Sequence, residues 1–167
     1  MNNSHLLIGA ALVGVVAFGG KKAMELKADL SKAGENEKKF APYIATIEDK
    51  YGLPSGLLHR LLKQESSFLT SIITGAKRSS VGALGIAQFM PATAREWLGS
   101  EQNALNPSEA IDGAARYLKW IYNNVGMDWT KTVAAYNWGI GNVKNKGLSR
   151  APSETKKYVK KILGVTL

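Results

Sequence analysis

The sequence predicts a mainly α-helical domain, and three observations carry that expectation. Apolar residues recur at three- and four-residue steps, helix-start signals precede several of these runs, and no segment shows the strict alternation of a half-buried strand. The chain has 167 residues, 45% apolar and 21% charged. That is close to the globular average and excludes a disordered, collagenous or coiled-coil chain. The length allows one domain with a short appendage. With no Cys and only His5 and His59, a disulfide framework, a thiolate zinc site and a cysteine nucleophile are excluded, and no metal or cofactor is expected.

The appendage comes first. Residues 6–20 read LLIGAALVGVVAFGG, without a charge, and Lys21 and Lys22 follow. As a helix this run spans roughly 22 Å, short of a ~30 Å hydrocarbon core, and snorkelling lysines supply part of the difference. Residues 1–22 are therefore read as a hydrophobic helix that is a membrane anchor or a signal-like segment, with a buried helix as the third reading. Met1 to His5 lacks the basic residues of a secretory signal. Lysines after the run favour a cytoplasmic placement of that end, which conflicts with an enzyme working outside. Residues 23–40 are polar and mixed in charge, as in an amphipathic stalk ending in a linker, so the domain is expected over 41–167.

Within the domain, 41–51 forms a first helix ended by Gly52, and a second starts at Pro54 and runs to about Ser66. Residues 72–90 are rich in Gly, Ser and Thr and predict a long loop with one helical turn and a very small hairpin inside 72–83. Pro91 opens a helix to about Leu98. Asn106-Pro107-Ser108-Glu109 is a cap, an N1 proline and a glutamate at N3, followed by the periodic run Ile111, Ala114, Ala115, Leu118, Ile121. Asp128 caps a helix to about Asn137, and a last one spans Ser153 to Leu163.

One carboxylate stands on an apolar face. Leu57, Leu61 and Glu65 lie at i, i+4 and i+8, flanked by Leu58 and Leu62. Glu65 thus points toward the core, where desolvation raises its pKa and makes it a proton donor near neutral pH. A buried Glu paired with Arg or Lys, or one that escapes to solvent by fraying of the helix end, gives the same pattern. Downstream, Gly82 and Gly85 permit close backbone approach to a ligand, Gln88 supplies an amide, and Tyr136-Asn137-Trp138 groups a phenol, an amide and an indole. Amides and aromatic faces are the parts that bind sugars.

Four blocks then give a resemblance. Glu65-Ser66-Ser67-Phe68, Gly82-Ala83-Leu84-Gly85-Ile86-Ala87-Gln88-Phe89-Met90-Pro91, Ala135-Tyr136-Asn137-Trp138-Gly139-Ile140-Gly141-Asn142-Val143 and Glu154-Thr155-Lys156-Lys157-Tyr158-Val159 follow, in order, the motifs of the lytic transglycosylase domain of glycoside hydrolase family 23, related to goose-type lysozymes. The resemblance covers about 41–165. Ile86-Ala87 stands where Leu-Met is usual, and Trp138 replaces a small residue, adding a stacking surface or narrowing a subsite.

The resemblance implies a lysozyme-like helical domain with a substrate groove. It implies that Glu65 protonates the glycosidic oxygen between N-acetylmuramic acid and N-acetylglucosamine in peptidoglycan. The muramoyl acetamido oxygen then stabilises C1, and Glu65 takes the proton of the C6 hydroxyl as a 1,6-anhydro ring closes, without the second carboxylate of ordinary glycosidases. Tyr136 is expected beside Glu65. Ser79, Gly85, Gln88, Met90 and Asn137 are expected along the sugar subsites, and Glu154 and Tyr158 on the far wall. His59 reads as a surface helix residue. The rival readings are a hydrolase in which Asp112 or Asp128 holds a water, and a non-catalytic glycan-binding module.

The net charge is +9, and residues 142–167 carry seven cationic side chains against Glu154 alone. Such a surface favours anionic partners, whether nucleic acid, lipid head groups or acidic wall polymers, and a solvated helix face is the plain alternative. Together these features lead us to expect peptidoglycan strands as substrate, with nucleic acid not a functional one. The membrane is expected as a partner through the N-terminal segment. The setting is expected to be the periplasm or cell envelope, with virion or secretion-system components as further partners.

Overall fold

The computed structural model describes residues 20–167. The apolar run expected as an anchor or signal lies, up to residue 19, outside the described residues. Among the described residues no helix is long and apolar enough to cross a membrane.

Among the described residues eight α-helices follow in order: α1 Gly20–Tyr51, α2 Leu57–Ser66, α3 Thr70–Ile73, α4 Pro91–Leu98, α5 Pro107–Asn124, α6 Trp129–Trp138, α7 Ile140–Lys146 and α8 Ser153–Leu163. Short 3-10 turns cover Gln102–Leu105 and Leu148–Arg150. Instead of a hairpin within 72–83 there is one antiparallel bridge, Leu84 to Phe89. The reversal falls there because Gly85 carries φ +68° and Gln88 φ 48°, closing the turn between the bridged residues.

The polar stretch 23–40 is helical throughout and joins the expected helix 41–51 in one 32-residue α1. Alanine, leucine, lysine and glutamate supply good helix propensity here. Pro42, at the start of the expected 41–51 helix, sits inside α1. A proline there cannot donate to the carbonyl four residues back, and Lys38 and Lys39 are exposed, so water reaches that turn. The second half of α1 packs on the domain through Ile44 and Ile47.

The later helices start where capping chemistry allows. Asn106 accepts from the Ser108 amide at 3.1 Å and Asp128 from the Lys131 amide at 3.0 Å, each holding an otherwise orphaned first-turn donor. The second helix begins at Leu57 rather than Pro54 because Gly56, at φ 73°, is left-handed and has no side chain to cap with. A buried carboxylate takes that role: Glu48 of α1 accepts from the amides of Gly56 at 2.6 Å and His59 at 3.1 Å.

The core lies where α2, α5, α6 and α8 meet. Leu57, Leu58, Leu61, Leu62, Ile111, Leu118, Ile121, Val133, Val159 and Ile162 are almost wholly buried. α8 packs on both α2 and α6, and α6 packs on α5. This brings the end of α2 against the middle of α8, although the two are far apart in sequence. The loop before α4 is locked by Gly85, where a Cβ would lie 1.8 Å from the Ala104 carbonyl oxygen. Only glycine fits that approach.

Glu48 gives a test of this packing. Replacing it by Ala leaves two helix-start donors buried without partners. The Glu48→Ala variant is expected to lose about 1–3 kcal/mol in urea unfolding, while Glu48→Gln, which keeps one acceptor, loses less.

Candidate active site

Glu65 is the last inward residue of α2. It continues the leucine stripe and is 8% exposed. Its Oε1 accepts a hydrogen bond from the Tyr158 hydroxyl of α8. Burial pushes the carboxyl up to about 8, and the tyrosine hydrogen bond pulls partly the other way. At neutral pH the group therefore holds its proton. Tyr158 is itself buried, and its hydroxyl is pushed well above the ordinary tyrosine range by burial first and by the adjacent Glu65. It stays a donor across the working pH range.

Tyr136 of α6 completes the surround. Its hydroxyl donates to the Ala87 carbonyl at 2.9 Å. Burial, then the field of Glu65, raises its pKa well above normal. So Tyr136 is near the acid, as expected, but bonds to the loop instead. The direct partner of Glu65 is Tyr158, which sequence reasoning placed on the far wall. Both tyrosines were visible as motif residues, but their ranking depends on the angle between α6 and α8, which no local pattern encodes.

The loop residues act through the backbone. Gln88 is buried, and both its amide and its side-chain Nε2 donate to the Gly85 carbonyl, at 3.2 and 2.9 Å. Ser79 Oγ accepts from the Ala83 amide at 2.9 Å, which closes the turn in front of the glycines. Met90 is half-buried and extended, just before Pro91. Asn137 is 5% exposed and accepts the Thr155 hydroxyl at 2.8 Å, while its Nδ2 is buried with no hydrogen-bond partner. Glu154 Oε1 is likewise buried and unpartnered. Trp138, expected as a stacking surface or subsite wall, instead belongs to the core at 6% exposure, with Lys146 over its ring.

Several neighbours escaped sequence reasoning. Tyr136 leads into an aromatic row through Tyr117, Trp97 and Trp120, with ring centroids 5.0–6.0 Å apart. Tyr117 and Trp120 lie off the apolar periodicity read for α5, and their pairing with Trp97 of α4 is tertiary. The two aspartates considered as water holders are committed elsewhere. Asp112 binds Lys50, Tyr51 and Arg116. Burial raises its pKa, but those hydrogen bonds outweigh it and hold the carboxyl below its usual range. Asp128 is the α6 cap. His59 is half-buried between the Phe68 ring and Glu37. A separate cleft of about 460 Å³, lined by Lys22, Glu25, Leu26, Asp29, Leu69, Ser71 and Lys77, contains none of the expected site residues.

The site thus presents a buried, protonated carboxyl beside two tyrosines on a helical frame. The model of the Transglycosylase SLT domain matches residues 42–159, and the chain belongs to that family. It is 33% identical over 105 residues to the peptidoglycan transglycosylase gp16 of Escherichia phage T7, covering 60% of this chain and 8% of that protein. It is 28% identical over 132 residues to the soluble lytic murein transglycosylase of Escherichia coli strain K12, covering 66% of this chain and 20% of the relative. Among solved structures, an inactive mutant of the lytic transglycosylase Slt from Pseudomonas aeruginosa superposes with a TM-score of 0.60 at 28% identity, over 71% of this chain and 22% of that one. The chain thus spans a fifth or less of the curated relatives' length.

The raised pKa is also a statement about stability. The folded carboxyl titrates at about 8 against an ordinary 4.5, so between these values the folded state holds a proton that the unfolded chain has released. Its contribution is fully present below the lower value and is lost as pH rises through the upper one, at up to about 1.4 kcal/mol per pH unit. Urea unfolding at pH 5 and pH 7.5 should show the parent weakening with pH and Glu65→Gln weakening measurably less.

Proposed function

We propose that this chain is a peptidoglycan lytic transglycosylase, cleaving the β-1,4 bond between N-acetylmuramic acid and N-acetylglucosamine and leaving a 1,6-anhydro product. The observation that carries this reading is the Glu65 carboxyl, held protonated by burial and aligned by Tyr158. A protonated carboxyl can donate to the glycosidic oxygen. As the bond breaks, the muramoyl acetamido oxygen stabilises C1. Glu65, now a carboxylate, accepts the C6 hydroxyl proton while that oxygen closes on C1, and no water is consumed. The commitment of Asp112 and Asp128 to other contacts favours this route over a hydrolase that needs a second carboxylate. The family membership and the names of the relatives support the same chemistry, and the inactive Slt mutant carries glutamine in place of a glutamate.

The orphaned Asn137 Nδ2 and Glu154 Oε1 offer a donor and an acceptor. An acetamido group, with one C=O and one N–H, matches that pair. Ser79, Gly85, Gln88 and Met90 shape the loop on the other side. The biological role we assign is local opening of the cell wall from a virion or envelope position, with the apolar N-terminal run as membrane tether. The phage T7 relative favours the virion setting.

Digestion of purified peptidoglycan followed by mass spectrometry tests the reaction. The expected muropeptides are lighter by one water than hydrolysis products, and Glu65→Gln should lower their yield by about 10³-fold or more, as loss of an essential proton donor does. Products of hydrolytic mass would contradict the transglycosylase reading, and lysis by Glu65→Gln would contradict the assignment of the acid.

The cationic face of α8 is assigned to encounter with the wall. Tyr158, Val159 and Ile162 are buried, while Lys157, Lys160 and Lys161 are exposed and Lys156 is half-buried. Screening shortens the reach of such charges from ~10 Å at 0.1 M salt to ~3 Å at 1 M. Changing these four lysines to Gln should weaken wall binding at low salt and flatten its salt dependence, with turnover on short soluble glycans nearly unchanged.

A further inference from the structure

The chain reverses immediately after Glu65, and the reversal is an unusual one. Ser67 and Phe68, neither of them glycine, have φ of 50° and 54°. Two consecutive side-chain-bearing residues in the left-handed region persist only where the surroundings over-determine them. From within the domain, the Phe68 ring is fully buried. Ser66 Oγ donates to the Leu62 carbonyl at 3.0 Å and accepts from the Phe68 amide at 3.1 Å.

The remaining constraint comes from α1, ahead of residue 42 where the family match begins. Asn36 Nδ2 donates to the Phe68 carbonyl and to Thr70 Oγ1, both at 3.0 Å. Next to it, Glu37 accepts from Lys63 on the last turns of α2 at 2.9 Å and pairs with His59 at 3.2 Å. Two turns earlier, Asp29 accepts from the Ser71 amide at 3.2 Å and from the Ser71 hydroxyl. Three polar side chains on one face of α1 thus grip the segment on both sides of the acid.

We propose that Asn36 is a positioning residue for Glu65: by holding the Phe68 carbonyl it pins the reversal that ends α2, and so sets where the Glu65 carboxyl meets Tyr158. This rests on Glu65 being the acid. The mechanism is local. The Ser67 amide closes α2 by donating to the Lys63 carbonyl at 2.9 Å. If the reversal relaxes, that last turn frays, the carboxyl swings away from Tyr158 and water enters. The titratable groups facing Glu65 are Tyr158 of α8 and Tyr136 of α6, and residues 82–90 of the neighbouring loop contain none. Water entry therefore acts through solvation alone and lowers the proton affinity that burial raises.

The test uses the full chain on short soluble glycan fragments, comparing the parent with Asn36→Ala, Asn36→Asp, Ile44→Val and Glu65→Gln. Asn36→Asp keeps the shape but replaces the donor by an acceptor. Ile44→Val thins the core under the same helix without touching the grip. Both Asn36 variants are expected to lose about 10-fold in kcat with KM held within about twofold, as misplacement of a catalytic group does. The alkaline limb of their kcat profile should move down by about half a pH unit or more. Ile44→Val should lower Tm while leaving kcat and the limb in place. An unchanged kcat and limb in Asn36→Ala overturns the proposal. So does a loss that Ile44→Val reproduces at the same drop in Tm. If Asn36→Ala does not fold, Asp29→Asn decides the matter at Ser71, where a lowered limb supports the grip and a parental limb overturns it. Turnover by Glu65→Gln would instead sink the acid assignment itself, which keeps the two failures distinct.

Discussion

The structure turns on taking one carboxyl out of water. Glu65 extends a stripe of leucines, and burial outweighs the single hydrogen bond from Tyr158 in setting its charge. Everything nearby serves that arrangement. α8 brings the tyrosine, α6 brings a second one, and the glycine-bearing loop packs close through Gly85. The cost is also local. A protonated buried acid makes the fold weaker as pH rises through its raised pKa.

Glu48 shows that burial alone does not decide a carboxylate's role. It is 4% exposed, more deeply buried than Glu65, and its position relative to Ile44 and Ile47 follows the same helical spacing. Yet it meets two amides at the start of α2. Glu65 meets one hydroxyl and apolar walls. The two carboxyl groups meet opposite ends of α2, Glu48 reaching its start from α1. Glu48 accepts from otherwise orphaned amides at the start of α2, whereas Glu65 is held neutral by burial at its end.

Much of this was legible in the sequence, for reasons that can be named. The starts of α4, α5 and α8 follow from Pro91, from Asn106-Pro107 and from Ser153, all local signals. Glu65 was legible because its helix has a single clear apolar face. The continuous α1 was not, because Pro42 and the charged run before it resemble a boundary, and only packing on α3 shows otherwise. α7 was missed because its seven residues contain two lysines and a glycine and carry little pattern. Tyr158 outranking Tyr136 as the partner of the acid, and Trp138 turning inward, are consequences of how helices cross. The wrong-face rule that found Glu65 also applies to Glu48, which shows that the rule identifies burial and that chemistry needs the neighbours.

Burial holds Glu65 as a neutral carboxylic acid at physiological pH. Its carboxyl can be observed directly by infrared difference spectroscopy, subtracting Glu65→Gln from the parent across a pH titration. A protonated carboxyl C=O band is expected to persist at neutral pH and to disappear with a midpoint near the value of about 8 set by burial. A band that vanishes with a midpoint close to the ordinary carboxyl value of 4.5 would contradict that expectation.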